Sequence, residues 1–320
     1  MGEAIRLISA WIRWKERTLE GEKLTYKNPL AVFKSSGKIV LTNGQTFYFD
    51  KESKRDVLNL ASFILNYGVK FGDEKGMWRV NLSNGHSSSG KTSSASTTIE
   101  TPDGIKFMLS GFDQGIMAET YLFDIHHCEN LKGKIVVQAG GFVGDTALYY
   151  ASKGAIVYSF EPDTRSFGVA LKNIGLNQEL SKKITMGNCV LGRDETIEFP
   201  VSESGSGGSS LFDLKLKNKI NVKSVSLTTI LKEYNIESPY LLDLDIKGAE
   251  FIVINDKAVQ EFKKIRIEYS PYLLNDKGAT IGILMDKLQE YGFGNFRIFK
   301  HICGRYDLAN HGTIVASSLL

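Results

Sequence analysis

The sequence predicts an α/β protein whose central sheet is mostly parallel and closes with an antiparallel strand pair. From Lys134 onward, apolar runs of strand length alternate with helical patterns, as in "KIVVQAG", "AIVYSFEP" and "PYLLDLD". Such alternation is typical of a parallel sheet covered by helices on both faces. The last two runs, "GNFRIFKHI" and "GTIVASSL", are predicted to form the closing pair.

A basic amphipathic helix is predicted at the start of the chain, from Glu3 to Thr18. Ile5, Ile8 and Ile12 fall on one face of it, and basic residues cover the rest. A helix of this kind could lie on a membrane surface. Docking on its own domain is favoured, because tertiary packing stabilises most amphipathic helices.

Residues 1 to about 110 are predicted to form a small α+β accessory module. Two β-rich runs flank Asn43-Gly44, which is a strong hairpin signal. A helix capped by Ser53 should then run to about Tyr67. "GMWRVNL" and "GIKFML" read as short strands, so the main domain is expected to span residues 111–320.

The main domain is expected to continue the alternation to its end. Helices are predicted from about Asp145, from Thr164 to about Leu176, through "LTTILKEY" and "GAEFIVI", and from Thr280 to Tyr291. A strand surrounds "KITMGNCVL", another lies at "KKIRIEYS", and "TIEFPV" is read as an added strand. "SESGSGGSS" is predicted to be a flexible loop.

Composition excludes several classes of protein. The 320 residues carry 39 basic and 36 acidic side chains, and this excess of +3 leaves no electrostatic footprint for nucleic acid. The cysteines, Cys128, Cys189 and Cys303, form no C-x-x-C pair, so neither a disulfide framework nor a metal cluster is predicted. We expect a reducing, cytoplasmic location, because the sequence shows neither a signal peptide nor an apolar run of membrane-spanning length.

The segment "GHSSSGKT", Gly85 to Thr92, fits the phosphate-binding pattern G-x-x-x-x-G-K-S/T letter for letter. A working loop of this kind opens directly into a helix whose N–H groups bind phosphate. The residues that follow it, "SSASTTIETPDG", are poor helix formers. The pattern is therefore interpreted as a Ser/Gly loop in which Lys91 could still touch an anionic substrate.

A second motif has the context that the first lacks. An apolar strand ends at Gln138, Gly140 and Gly144 form a turn, a helix begins at about Asp145, and Glu161 ends the next strand. An acid at that place accepts hydrogen bonds from ribose hydroxyls. The spacing G-x-x-x-G favours S-adenosylmethionine over a dinucleotide, although spacing alone does not separate the two. A purely structural glycine turn is the alternative.

The stretch "VVQAGGFVGDTALYYASKGAIVYSFEPD", followed by "LKNIGLN", "LTTIL" and "LLDLDIKGAEF", resembles the FkbM-type methyltransferases. The resemblance runs from about Thr101 to about Tyr269 and leaves the accessory module uncovered. It implies a Rossmann-like class I methyltransferase sheet, S-adenosylmethionine as the cofactor, and a sugar or glycan hydroxyl as the acceptor class.

The resemblance also implies which residues hold the cofactor. The methionine end would lie against the turn from Gly140 to Gly144, and Asp145 and Thr146 match the start of the following helix. Glu161 matches the ribose-binding acid, and Asn188 stands where the family approaches the adenine.

Three acids are the candidates for catalysis. Asp245 and Glu250 match the family segment D-x-x-G-A-E, and Glu268 ends the neighbouring strand "RIEYS". A carboxylate at the carboxyl end of a parallel strand is the natural base for a hydroxyl. Asp245 is the first choice and Glu268 the second. Asp243, deeper in its strand, is interpreted as a support.

Three positions depart from the family pattern and keep alternatives open. Gln138, which is still expected to contact the cofactor, replaces an acid, Phe142 replaces a small polar residue, and Lys247 replaces a glutamate. One alternative is therefore a binding protein on this fold that has lost activity. Another is a transferase that uses a nucleotide or nucleotide sugar through Lys91 or through the D-x-D of Asp243 and Asp245. A homodimer and a peripheral membrane contact are left open.

Overall fold

The computed structural model of the chain describes residues 27–28, 31, 34–41, 44–82, 97–202, 218–274, 278–300 and 307–319. The predicted first helix and the segment Gly85 to Thr92 lie outside these residues. The described strands are β1 (Gly37–Val40), β2 (Thr46–Phe49), β3 (Arg79–Leu82), β4 (Thr97–Glu100), β5 (Lys106–Met108), β6 (Ile135–Ala139), β7 (Ile156–Phe160), β8 (Ile184–Gly187), β9 (Val190–Leu191), β10 (Glu195–Pro200), β11 (Lys219–Val225), β12 (Leu241–Leu244), β13 (Lys264–Tyr269), β14 (Phe293–Phe299) and β15 (Gly312–Ser318). The described α-helices are α1 (Lys54–Tyr67), α2 (Gln114–Tyr121), α3 (Asp145–Ser152), α4 (Thr164–Gly175), α5 (Gln178–Ser181), α6 (Leu227–Glu233), α7 (Glu250–Val253) and α8 (Ile281–Glu290), and 3₁₀ turns cover Lys257–Glu261 and Pro271–Leu273.

The central sheet has seven strands in the order β14-β15-β13-β12-β6-β7-β8. Five of these strands, β13, β12, β6, β7 and β8, run parallel to one another. β15 is inserted between β13 and β14 and runs antiparallel to both. The predicted parallel sheet with a closing antiparallel pair is therefore confirmed.

A second sheet of three strands, β10-β11-β9, was only partly foreseen. The predicted strand through "KITMGNCVL" splits, because β8 stays in the central sheet while β9 pairs with β11. The added strand β10 is confirmed and pairs antiparallel with β11. β11 itself was not predicted, although its second half places Val222 and Ser224 on a buried face.

In the accessory module the predicted hairpin is confirmed, since β1 and β2 pair antiparallel around Gly44. The helix α1 is also confirmed, but the prediction that the Ser53 side chain caps it is wrong. The Ser53 side chain makes no capping hydrogen bond. Its hydroxyl donates instead to Asp50 Oδ1 at 2.6 Å, in the turn that precedes the helix.

The short sheet β3-β4-β5 lies beside this helix. β4 was not predicted, because it lies in a Ser/Thr-rich stretch that was interpreted as loop. Its alternation nevertheless buries Thr97 and Ile99, which are 2% and 0% exposed. Three of its four residues are β-branched, and such side chains pack well on a half-buried face of this kind.

The accessory module packs directly onto the main domain. One buried cluster unites α1, β4 and β5 with Met117 of α2, Leu148 of α3 and Ile174 of α4. Asn173 and Asn177, in the segment "LKNIGLN", accept hydrogen bonds from the backbone N–H groups of Met108 and Lys106, each at 2.9 Å. These asparagines hold β5 against the main domain. The predicted boundary between the accessory module and the main domain, at residue 110, stays a prediction.

The largest buried cluster fills the side of the central sheet under α6 and α8, with Leu284 and Leu288 of α8 fully buried. A further cluster packs Ala147 and Tyr150 of α3 on the other side, against Val136 and Val157. Both faces of the sheet are thus covered next to the ends of β6 and β12. Within the described part of the chain, none of the helices is long and apolar enough to cross a membrane.

Candidate functional site

A cleft opens where the carboxyl ends of β6, β7, β12 and β13 meet. Parallel strands bring their carboxyl ends to one edge of the sheet, so residues distant in sequence converge there. The cleft is lined by six of the residues predicted for the site: Gly140, Asp145, Thr146, Glu161, Asp245 and Glu268. Four others do not line it: Gln138, Gly144, Asn188 and Glu250.

The glycine turn after β6 is wedged between the ends of two neighbouring strands. The N–H groups of Gly140 and Gly141 both donate to Phe160 O at the end of β7, at 3.0 and 2.9 Å. On the other side, a Cβ added to Gly140 would lie 2.1 Å from the carbonyl oxygen of Asp245. Because Gly140 also has φ +91°, only glycine fits there.

Gly144 has a packing role at the beginning of α3. It adopts φ +79°. A Cβ on it would lie 3.4 Å from Ala170 of α4. The residue therefore lets two helices approach each other beside the cleft rather than meeting a ligand itself.

Gln138 lies behind the turn. It is 1% exposed, its Oε1 accepts from the Ser159 hydroxyl at 2.7 Å, and its Nε2 donates to Gly140 O at 3.4 Å. The sequence placed this amide in contact with the cofactor. The structure uses it to brace the turn, because both ends of the amide are occupied within the sheet.

Glu161 ends β7 at the wall of the cleft. Its two carboxylate oxygens accept from the N–H groups of Phe142 and Asp163, each at 2.8 Å. Burial raises the pKa of Glu161 to about 7. Each oxygen keeps a lone pair for a further donor, so the carboxylate is both fixed and able to accept hydroxyl hydrogens.

Asn188 supports the same wall from outside the cleft. Its exposed amide donates to the carbonyl oxygens of Glu161 and Pro162, at 2.8 and 3.1 Å. The residues that follow it, Cys189 to Leu191, line the cleft together with Phe160. Asn188 itself does not line the cleft, and its predicted approach to the adenine stays a prediction.

Asp145 and Thr146 lie on the floor of the cleft at the first turn of α3. Asp145 Oδ2 accepts from the hydroxyls of Thr120 and Thr146, at 3.0 and 3.1 Å. Burial raises the pKa of Asp145. The sequence gave no sign of Thr120, because α2 was not predicted.

Asp243 is a buried support, as interpreted from the sequence. Arg266 Nη1 lies 2.8 Å from one of its oxygens, and the Tyr150 hydroxyl donates to the other at 2.8 Å. His126 Nδ1 lies 3.5 Å from that second oxygen. Burial alone would raise the pKa of Asp243, but Arg266 and His126 outweigh it and lower the pKa to about 2.

Asp245 and Glu268 face the cleft as a pair of interacting acids. Burial, and then the charge of Glu268, raise the pKa of Asp245 well above its ordinary value. Glu268 is 8% exposed. His311 Nε2 lies 3.2 Å from its Oε1, and Arg266 Nη2 lies 3.9 Å from its Oε2. Asp245 therefore resists ionisation, while Glu268 has the Arg266 guanidinium nearby.

Glu250 points away from the cleft and is fully buried. Its oxygens accept from the N–H groups of Gly248 and Ser270, at 2.6 and 2.7 Å. Burial raises the pKa of Glu250 to about 7. It joins the loop after β12 to the end of β13 and does not line the cleft, and its catalytic role stays a prediction.

Among the lining residues that were not predicted for the site, Glu119, Phe142 and Lys247 bear on its chemistry. Burial, and then the charge of Glu268, raise the pKa of Glu119 to about 7. Glu119 belongs to the unpredicted α2, so no pattern in the sequence could have found it. Phe142 and Lys247 had been identified as departures from the family pattern. That departure was the one feature of the sequence that could have marked them as site residues.

This sheet order, with a glycine turn after β6 and an acid at the end of β7, defines the Rossmann-like class I methyltransferase fold. Residues 137–294 match the model of the family described as "Methyltransferase FkbM domain". The chain therefore contains a methyltransferase FkbM domain, which confirms the resemblance seen in the sequence.

Solved structures similar to the chain have low sequence identity. One is an rRNA methylase from Streptococcus thermophilus, at 11% identity and a TM-score of 0.39, covering 63% of this chain and 96% of that one. Another is magnesium protoporphyrin IX methyltransferase (ChlM) from Synechocystis PCC 6803, at 13% identity and a TM-score of 0.35, covering 63% and 80%. A third is the METTL16 MTase domain, at 12% identity and a TM-score of 0.42, covering 94% and 99%. A comparison with curated proteins gives no match.

The glycine turn yields a stability prediction. Gly140→Ala should lower the free energy of unfolding by about 1–3 kcal/mol more than Gly104→Ala, as measured by urea denaturation. Both residues have positive φ, +91° and +84°, but a Cβ at Gly104 meets nothing within 4 Å. Equal losses in the two variants would show that the turn does not depend on the contact with Asp245.

Proposed function

We propose that this protein transfers the methyl group of S-adenosylmethionine to a hydroxyl of a sugar, a glycan or a related acceptor. The observation that carries the proposal is the place of Glu161. It is a fixed carboxylate at the end of β7, on the wall of a cleft that opens above a glycine turn, inside a methyltransferase FkbM domain. The acceptor class rests on the family resemblance.

The residues of the cleft fit the cofactor chemically. Glu161 offers lone pairs to the ribose hydroxyls, and the apolar surface of Phe160 and Leu191 suits the flat adenine. The acid Asp145 suits the cationic end. When bound, S-adenosylmethionine supplies an electrophilic methyl group on a sulfonium.

The chain's own task in such a transfer is to orient the acceptor and to take its proton. Asp245 lines the cleft at the end of β12 and is the proposed base. Glu268, held by His311, is the second candidate and also the neighbour whose charge raises the pKa of Asp245. We do not place Glu250 in the reaction, because its two oxygens hold backbone N–H groups.

The structure disfavours one alternative in particular. In a D-x-D glycosyltransferase both acids would offer oxygens to a metal and a sugar diphosphate. Asp243 has both oxygens engaged by Arg266 and Tyr150 and is 0% exposed. For the inactive binding protein, the departure at Gln138 counts less because Gln138 lies behind the turn, whereas the departures at Phe142 and Lys247 line the cleft, so this alternative is left to the binding and activity tests.

Calorimetry with S-adenosylhomocysteine tests the cofactor. The wild type should bind it, and Glu161→Ala should weaken binding at least about tenfold, because the ribose hydroxyls lose a charged acceptor. Glu198→Ala, in an exposed ion pair with Lys219, is the matched control and should bind normally. ATP and a sugar nucleotide should not bind, and Lys91→Ala should leave the cofactor affinity unchanged.

The proposal is contradicted if the wild type binds neither S-adenosylmethionine nor S-adenosylhomocysteine. Loss of binding in Lys91→Ala with retention in Glu161→Ala would restore the nucleotide hypothesis. Cofactor binding without methyl transfer to any member of a broad glycan panel would favour the inactive binding protein.

The dependence of kcat on pH tests the proposed base. It is measured with an acceptor that the glycan panel identifies as a substrate. A base with a raised pKa is protonated at low pH, so kcat should rise with pH as Asp245 loses its proton. Glu268→Gln removes the repulsion and should move this rise to lower pH, while Lys247, Arg266 and Asp243 continue to act on Asp245. Asp245→Asn should lower kcat by about 10²–10⁴ and abolish the rise.

Cofactor affinity is the control for these two variants, and it should stay near the wild-type value. An unmoved profile in Glu268→Gln would contradict the coupling of the two acids. Full activity in Asp245→Asn with loss in Glu268→Gln would transfer the role of base to Glu268.

A further inference from the structure

Two long side chains in the cleft share an unusual backbone conformation. Of the described non-glycine residues with positive φ, five are Asp, Asn or Ser, which tolerate the left-handed region better than bulkier residues. The other two are Phe142 at φ +38° and Lys247 at φ +46°. Both line the cleft. Backbone strain of this kind persists only where the surrounding structure holds it, and it clusters at functional sites.

A buried carboxylate holds the turn at Lys247 from behind. Glu250 accepts from the N–H of Gly248, the next residue, at 2.6 Å, and from Ser270 N at 2.7 Å. Because Glu250 is fully buried, its charge costs desolvation, which is why its pKa is raised to about 7. The turn is thus fixed to the end of β13, and the Lys247 side chain lines the cleft.

Charge distinguishes Lys247 from the other residues of the cleft. It is the one Lys or Arg among the described residues that line the cleft, whereas the acids there include Glu119, Asp245 and Glu268. Arg266 already lies behind Asp243 and Glu268. Burial raises the pKa of Glu119, Glu161 and Asp245, and the charge of Lys247 acts against that rise in all three, so the Lys247 ammonium lies within electrostatic reach of these cleft acids. A ligand carboxylate bound in the cleft would meet the same cation.

We propose that Lys247 binds a carboxylate in the cleft, and this rests on the proposed function. A carboxylate can come from two sources: the amino-acid end of the cofactor, or an acidic acceptor such as a uronic acid. In either case the ammonium makes a charge-assisted hydrogen bond to the carboxylate oxygen. The glutamate expected at this position from the family resemblance would repel the same group.

The test compares probe pairs that differ in a carboxylate, by calorimetry or ligand-observed NMR. S-adenosylhomocysteine is paired with 5′-methylthioadenosine, which lacks the amino-acid end, and D-glucuronate is paired with D-glucose. Lys247→Met should weaken one carboxylate probe about tenfold or more and leave its carboxylate-free partner unchanged. Lys247→Arg should retain most of the affinity. Lys182→Met, at an exposed surface ion pair, is the matched control and should change nothing.

The two sources give different results. Selective loss of S-adenosylhomocysteine assigns Lys247 to the cofactor, and selective loss of D-glucuronate assigns it to the acceptor. The inference is overturned if Lys247→Met, folded as judged by its unfolding midpoint, binds both carboxylate probes like the wild type, or if the wild type binds neither. Failure of the proposed function is seen separately, as a wild type that does not bind S-adenosylhomocysteine at all.

Discussion

The close packing of the glycine turn against the end of β12 is the constraint on which the cleft depends. Gly140 approaches the carbonyl of Asp245 so closely that no side chain fits, and Asp245 N in turn donates to Ala139 O at 3.0 Å. The same turn donates to the end of β7. This packing therefore sets the distance between Glu161, where we propose that the cofactor binds, and Asp245, the proposed base.

Buried charges provide the second layer of support. Asp243 and Arg266 form a pair with almost no exposure, and removal of one partner from such a pair typically costs about 3–5 kcal/mol. Glu250 ties the loop after β12 to the end of β13 in a similar way. These groups stabilise the edge of the sheet, so the acids in the cleft can be held close to one another despite their repulsion.

The central sheet could be predicted because its signals are local and agree with one another. Apolar strands, a glycine turn and an acid at the next strand end all point to one arrangement, and the structure confirms it. The direction of individual side chains could not be predicted. Gln138 and Glu250 stand at positions predicted for the site, but both are buried, bind neighbouring groups of the chain and do not line the cleft. Glu119 lines the cleft from a helix with no clear apolar pattern. Strand β4 was missed because the Ser/Thr-rich stretch around it was interpreted as loop, although its β-branched residues alternate and bury Thr97 and Ile99.

A crystal structure of the chain with S-adenosylhomocysteine tests the central claim most directly. The account predicts that the ribose hydroxyls lie on the Glu161 carboxylate, that the adenine lies against Cys189 to Leu191, and that the sulfur faces Asp245. Density for the ligand outside this cleft, or ribose hydroxyls that make no contact with Glu161, would contradict it.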